Sequence, residues 1–475
     1  MGKNMKRKAV GRWVLVAVVG ALTYWCIDRW DVWFHNPEED PYEASAVPTR
    51  ILLTFGDEDG MRSRNISWTC GDETLPSYVE LVDQQDSMQR ETIMATGEVF
   101  ESRSGKAAYY VARLRGLQAG HRYRYRVCTG DAVSGWHAFH LPDAEEKETS
   151  FLYMGDIQDS IGGIANRLLR RAFRANTDAE FFVCGGDLTE RPTDAYWGET
   201  FESLDSVGQA VPVLTVTGNH DYLKGVIGKL ERRFSLIHSY YLDSMIGENQ
   251  VFTVRYKNVQ FFCLDSNREF PYLWTQRRWL EEQLGASTAK WKIVVLHHPL
   301  YSIRGSMNNL IQRWMFNDLI CENGVDLVLQ GHEHAYARMT TNPCAGRLFS
   351  SDDDGAGGAS CGRTTPVYTV SHCSPKSYRI EFDADRFDKY GSGSRYFQKV
   401  RTHGDTLFLA AYDANDGTLY DSLYIKKNSP SDAVRLTDCG KDIPERITFT
   451  PEPNNDKDAA FAERIEEYKK KKKIQ

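Results

Sequence analysis

Ser150-Phe-Leu-Tyr-Met-Gly-Asp156, Glu180-Phe-Phe-Val-Cys-Gly-Gly-Asp187, Pro212-Val-Leu-Thr-Val-Thr-Gly-Asn219-His220-Asp221, Lys292-Ile-Val-Val-Leu-His297 and Val325-Asp-Leu-Val-Leu-Gln-Gly-His332-Glu-His334 share one design. Each is a short, β-branched or aromatic apolar run that stops at polar residues. Two further runs of the same kind are Val259-Gln-Phe-Phe-Cys-Leu-Asp265 and Pro366-Val-Tyr-Thr-Val-Ser-His372. The stretches 161–175, 194–208, 274–284 and 308–323 between the runs have helical apolar spacing. Alternating strand and helix predicts an α/β domain with largely buried strands. In open α/β sheets, ligands bind outside the carboxyl ends of strands, so the five polar loops are expected to converge on one crevice. Glycines stand before four of the five and let the backbone turn sharply there.

Asp, Asn and His are ligands for first-row divalent or trivalent ions, and one carboxylate between two ions can bridge them. A lone Gly-Asp is usually a turn and a lone loop His is usually structural. Five such sites in order, each after a strand, are hard to obtain without a function.

Upstream, Ile51–Phe55, Asn65–Trp68, Tyr78–Val82, Tyr109–Leu114, Tyr123–Val127 and Trp136–Pro142 are short runs separated by turn residues. They predict an all-β sandwich over 48–142, with Trp68 in its core and a tyrosine corner formed by Leu117–Tyr123. Cys70 and Cys128 end two of these strands, which leaves open either a disulfide or two free thiols. Residues 143–149 read as an acidic linker. Residues 395–425 read as strand, turn and strand around Asn415-Asp416-Gly417. The stretch Ser351–Ser360 reads as a surface insertion that Cys344 and Cys361 would staple. Residues 430–475 are polar and end in a lysine run, so a disordered tail or solvated helix is expected.

The chain has 475 residues, too many for one core, and an ordinary apolar and charged content. A formal net charge of -7 gives no reason to expect nucleic acid as partner. Lys3, Lys6, Arg7, Lys8 and Arg12 precede an apolar run from Trp13 to Ile27. Residues 1–30 therefore read as a signal peptide or signal anchor in the membrane, with cleavage left open. The rest of the chain is then exported, periplasmic or extracellular, and free or tethered.

The order GD, GD, GNHD, H, GHxH resembles the calcineurin-like metallophosphoesterase superfamily. His297-x-Pro299-x-Tyr301-Ser302, Gly331-His-Glu-His-Ala-Tyr-Ala-Arg338 and the preceding fibronectin type III-like domain resemble its purple acid phosphatase branch. The resemblance implies an N-terminal β-sandwich followed by a four-layer α/β/β/α domain over 150–426. It also implies two metal ions (Fe, Mn or Zn) and hydrolysis of a phosphate ester by a metal-activated hydroxide. By motif position Asp156 and His334 would bind one ion, Asp187 would bridge, and Asn219, His297 and His332 would bind the other. His220 would protonate the leaving alcohol and Asp221 would orient it.

This sequence departs from the family where the branch has a tyrosine, here Glu190, and where the superfamily has a histidine, here Gln158. Either would complete the first site through a side-chain oxygen. Arg304 and Ser306 follow His297 in place of phosphate-binding histidines, with Arg304 the candidate substrate contact. The alternatives are a phosphodiesterase, phosphoprotein or phospholipid head-group hydrolase of the same superfamily, or a non-catalytic surface adhesion protein.

Overall fold

A computed structural model describes residues 18–20, 23–36, 38–86, 90–143, 145–225, 227–240, 242, 245–247, 250–305, 307–340, 366–382, 386–429, 434–453 and 455–472. The expected staple between Cys344 and Cys361, the insertion it would hold, Ser306, and residues 13–17 and 21–22 of the N-terminal apolar run lie outside these residues. Among the described residues, no helix is long and apolar enough to cross a membrane.

The first eight strands build the sandwich: β1 (Thr49–Phe55), β2 (Arg64–Thr69), β3 (Ser77–Asp83), β4 (Arg90–Glu101), β5 (Lys106–Leu114), β6 (Arg122–Thr129), β7 (Ala132–Val133) and β8 (His137–His140). Strand β4 pairs with β3 through Arg90–Met94 and with β5 through Ala95–Glu101, so one long strand passes from one sheet into the other. The sequence reading has no strand there, because β4 is mostly exposed and polar and shows no apolar alternation. Trp68 is buried as expected, stacks on Tyr110 at 5.5 Å, and donates its indole N–H to Thr129 Oγ1 at 2.9 Å. The Tyr123 hydroxyl accepts the Gln118 N–H at 2.8 Å, which closes the tyrosine corner. Of the two readings of Cys70 and Cys128, the free thiols hold. The Cys70 thiol faces the Ala46 carbonyl, and Cys128 stands opposite Tyr78 in the ladder.

Strands β9 (Thr149–Met154), β10 (Phe181–Cys184) and β11 (Val213–Thr215) run parallel and side by side. A small hairpin follows, β12 (Tyr222–Leu223) with β13 (Lys229–Leu230). Next come β14 (Phe252–Tyr256), β15 (Val259–Cys263), β16 (Trp291–Val295), β17 (Leu327–Gln330), β18 (Tyr336–Met339), β19 (Val367–Val370) and β20 (Lys389–Ser392). The chain then forms the meander β21 (Tyr396–His403), β22 (Thr406–Asp413) and β23 (Leu419–Lys426), with the predicted turn between the last two, and adds β24 (Arg435–Asp438) and β25 (Arg446–Ile447).

One sheet has the order β24-β23-β22-β21-β9-β10-β11 and meets β1 of the sandwich. The other has the order β14-β15-β16-β17-β19-β18-β20-β25. The sheets face each other across a dry core that includes Phe151, Phe181, Phe261 and Trp291. Phe151 stacks on Phe181 at 4.9 Å. Burying each such side chain contributes about 1.5–3 kcal/mol. The helices Ala165–Ala175 and Asp194–Ala210 cover the outside of the first sheet, and Phe270–Ala286 and Leu310–Glu322 cover the second. The architecture is therefore the expected α/β/β/α.

The C-terminal region differs from the expected tail. Strand β24 extends the first sheet, and the helix Asp456–Lys472 lays Phe461, Ile465 and Tyr468 into the core outside the second sheet. The three apolar residues form a stripe at i, i+4 and i+7, which the surrounding charges hide in a composition reading.

The segment before β1 is held to the second domain by buried charges. Glu39 accepts from Arg233 Nη1 at 2.9 Å and Nη2 at 2.7 Å, and from the Asp194 N–H at 2.9 Å. Both side chains are 1% exposed. Breaking a buried pair leaves an uncompensated charge, and Glu231 still lies 3.1 Å from Arg233. Glu39→Ala should therefore cost about 3 kcal/mol, the low end of the range for such pairs, read as a lowered thermal midpoint. Burial works against ionisation of Glu39, but Arg233 more than offsets it and holds the carboxyl below its ordinary 4.5. This contribution is full above that value and fades as pH falls through the depressed one.

Candidate metal centre

Asp156, Asp187, Asn219, His297, His332 and His334 each follow the end of a strand, and the loops bring them together. Asp156, Asp187, His332 and His334 all have positive φ (50°, 53°, 71° and 43°). Such backbone is strained for non-glycine residues and persists where the surroundings impose it. Among the described residues only four other non-glycine positions share it, so the strain is concentrated at this site. Two glycines are sterically required. A Cβ on Gly218 would lie 2.0 Å from Asp187 Oδ1, and one on Gly331 would lie 2.2 Å from Asp156 Oδ2.

Two groups of donors result. In one, His297 Nε2 lies 3.3 Å from Asp187 Oδ2 and 3.1 Å from Asn219 Oδ1, while His332 Nδ1 lies 2.9 Å from the same Asn219 oxygen. In the other, His334 Nε2 lies 3.5 Å from Asp156 Oδ1, and the Gln158 side-chain nitrogen lies 3.2 Å from Asp187 Oδ2. Asp156, Asp187 and His297 each bring a donor atom within 4.8 Å of one another, so Asp187 stands between the groups.

The chemistry of the donors fits metal ions. Asp156 Oδ1 is buried with no hydrogen-bond partner. His297 donates its Nδ1–H to the Gly185 carbonyl at 2.8 Å, the usual outer partner of a ligating histidine, and so presents the Nε2 lone pair inward. Burial raises the Asp156 carboxyl to about 8, with the Asp187 charge adding to it, as expected of two carboxylates sharing a dry site. Burial alone would depress the His297 imidazole, but Asp187 beside it raises it to about 10, so a bound ion would take the Nε2 lone pair by displacing a proton.

His220 is half-buried, with Nε2 3.9 Å from Asp187 Oδ2. Its Nδ1–H donates to the Glu190 carbonyl at 2.5 Å, and its backbone N–H donates to Asp187 Oδ1 at 2.8 Å. Asp221 does not orient it as expected. The one-turn 3₁₀ segment Asn219–Asp221 folds the Asp221 carboxylate back onto the Gly218 N–H at 2.7 Å, away from the imidazole. Glu190, one of the two candidates for completing the first site, has its carboxylate on Lys376 at 2.7 Å, while Gln158 points at Asp187. Arg304 is exposed and lies 4.4 Å over the Tyr378 ring, which in turn sits 4.4 Å from the His334 ring. The sequence reading missed Lys376, Tyr378 and His298, whose ring lies 4.2 Å from that of His332. The loop Ser371-His-Cys-Ser-Pro-Lys376-Ser-Tyr378 carries the same signal as the others, polar residues directly after an apolar strand.

The fold gathers carboxylates and imidazoles at the strand ends, and residues 149–336 match the family Calcineurin-like phosphoesterase. Residues 48–141 match the Purple acid Phosphatase, N-terminal domain. The chain is thus purple acid phosphatase-like, with that family's N-terminal domain followed by a calcineurin-like metallophosphoesterase domain. It is 25% identical over 311 residues to a phosphoenolpyruvate phosphatase of Allium cepa, covering 61% of this chain and 63% of that one. It is 25% identical over 336 residues to purple acid phosphatase 18 of Arabidopsis thaliana, covering 66% and 72%. The chain therefore spans about two thirds of the length of these relatives. Its fold is similar to that of a purple acid phosphatase from yellow lupin (Lupinus luteus) seeds, with TM-score 0.66, 16% identity and coverage of 80% and 74%. It is also similar to PhoD, with TM-score 0.58, 13% identity and coverage of 92% and 100%.

Proposed function

We propose that the protein hydrolyses phosphate monoesters at a pair of metal ions held by Asp156, Asp187, Asn219, His297, His332 and His334. The observation that carries this reading is the position of Asp187 between two groups of inward-facing donors. Bound there, two cations would neutralise phosphate oxygens and lower the pKa of a water to near neutrality. The residues of the chain do the rest. Asp187 spans both groups, and Gly185 fixes the His297 ring through its carbonyl. With His220 Nδ1–H committed to the Glu190 carbonyl, Nε2 is the nitrogen left to carry a proton to the leaving oxygen. Arg304 is exposed, stacks on Tyr378 beside the His334 ring, and suits a substrate anion. The basic flank and exposed aromatics of the N-terminal segment support an exported location with that segment at a membrane. Release of phosphate from an aryl phosphate, with metal quantified in the same sample, tests the reading.

The metal-loaded protein should be colourless. In the resembling branch, colour comes from a tyrosine phenolate on ferric iron, and that position here is Glu190, held by Lys376. Tyr196 lies too far along the chain to replace it. An oxygen-rich first site suits manganese, zinc or ferrous iron at least as well as ferric iron. A flat visible spectrum is the expected result, and an intense band lost on reduction would contradict it.

A further inference from the structure

The rim of the site carries more exposed apolar surface than hydrolysis of a small soluble ester needs. Met307, Ile311 and Trp314 lie at the start of one helix, Phe270 and Trp274 at the start of its neighbour, and all five are exposed. Phe270 and Trp314 stack on each other at 5.6 Å, open to solvent. Helix starts that follow parallel strands lie on the same edge as the strand ends, which is the edge of the site. Hydrogen bonds confirm the proximity. Ser266 accepts the Gln312 side-chain N–H through its carbonyl and the His298 backbone N–H through its hydroxyl, and the His298 ring lies against His332.

A second apolar feature reaches the same rim. The N-terminal helix, residues 23–28 continued by Trp30–Phe34, exposes Tyr24, Trp25, Ile27 and Trp30, and just after it Asn36 pairs with both the N–H and the carbonyl of Lys224. Lys224 belongs to the hairpin that directly follows His220, and the tip of that hairpin exposes Ile227. The hairpin is tied to the aromatic rim in turn. Tyr222 donates to Asp265, Gln250 donates to the Tyr222 hydroxyl, and Tyr272 donates to Gln250 at 3.1 Å.

Clustered exposed apolar side chains mark an interaction surface, and tryptophans flanked by cations suit the boundary between headgroups and acyl chains. Arg304 at the site and the exposed Arg278, one turn along its helix from Trp274, complement an anionic lipid surface. We propose that this rim and the N-terminal helix seat on a bilayer, and that the site takes phosphate monoesters borne by lipids. This rests on the hydrolase reading above. In the reaction, water supplies the oxygen that joins phosphorus, the bond from phosphorus to the lipid oxygen breaks, and that oxygen leaves as the alcohol with the proton from His220. Inorganic phosphate is the other product.

The test uses the full chain, metal-loaded, and the double variant Trp274→Ser/Trp314→Ser. Two measurements are made: flotation with phosphatidylcholine vesicles containing phosphatidic acid, and phosphate release from those vesicles and from soluble p-nitrophenyl phosphate. The variant should match the wild type on the soluble ester, float less, and lose at least about tenfold on the vesicles, since each buried aromatic contributes several-fold to binding. Equal rates on vesicles, a parallel loss on both substrates, or undiminished flotation would overturn the proposal. So would a wild-type dimer that the variant converts to monomer, because a second copy would then cover the rim. If the wild type releases phosphate from no ester, the hydrolase reading fails, and flotation alone decides whether the surface is membrane-binding.

Discussion

Asp187→Asn and His297→Ala should each abolish phosphate-ester turnover while leaving the fold intact. Losing an outer partner of a metal ligand typically costs roughly 10–100-fold, and loss of a direct ligand should exceed that. Asp187 is the more severe position, because it stands between both donor groups and accepts the backbone N–H of His220 as well. Neither side chain belongs to the apolar cores that hold the sheets together. The far-ultraviolet circular dichroism spectrum should therefore match wild type. Turnover retained by either variant, with its metal content measured, would remove these residues from the centre.

His220→Ala should slow esters with poor leaving groups by about 10²–10⁴-fold and leave esters of acidic phenols much less affected. A good leaving group departs as the anion and needs little help from an acid. A series of aryl and alkyl phosphates measures this directly, and an equal loss across the series would contradict the role. The Glu190 carbonyl sharpens the expectation. It accepts the hydrogen bond from Nδ1–H, so the proton delivered is the one on Nε2. Asp221→Asn should leave the leaving-group dependence unchanged, since the Asp221 carboxylate binds the Gly218 N–H instead of the imidazole.

The parts of the molecule legible in the sequence are those where one physical signal dominates. Buried parallel strands such as Phe181–Cys184 must be apolar on both faces, and their ends must be polar where a site forms, so both runs and ligands could be read off. The long strand Arg90–Glu101 could not, because it is stabilised by its two ladders and buries few side chains. The C-terminal helix was obscured for the opposite reason. Its three core contacts are diluted by lysines and glutamates that cover the solvent side. Adjacency misled at Asp221, where a single tight turn sends neighbouring side chains to different partners. The pairing of Lys376 with Glu190 joins positions 186 residues apart, which no local pattern encodes.

On the proposed function, two metal ions at Asp187 and its neighbours make this chain a phosphatase. The most direct test measures metal content and p-nitrophenyl phosphate hydrolysis on one sample, before chelation, after it, and after metal is restored. The expected result is about two ions per chain, with turnover lost with the ions and recovered with them. Full turnover by the metal-free chain, or none by a folded chain holding both ions, would contradict it.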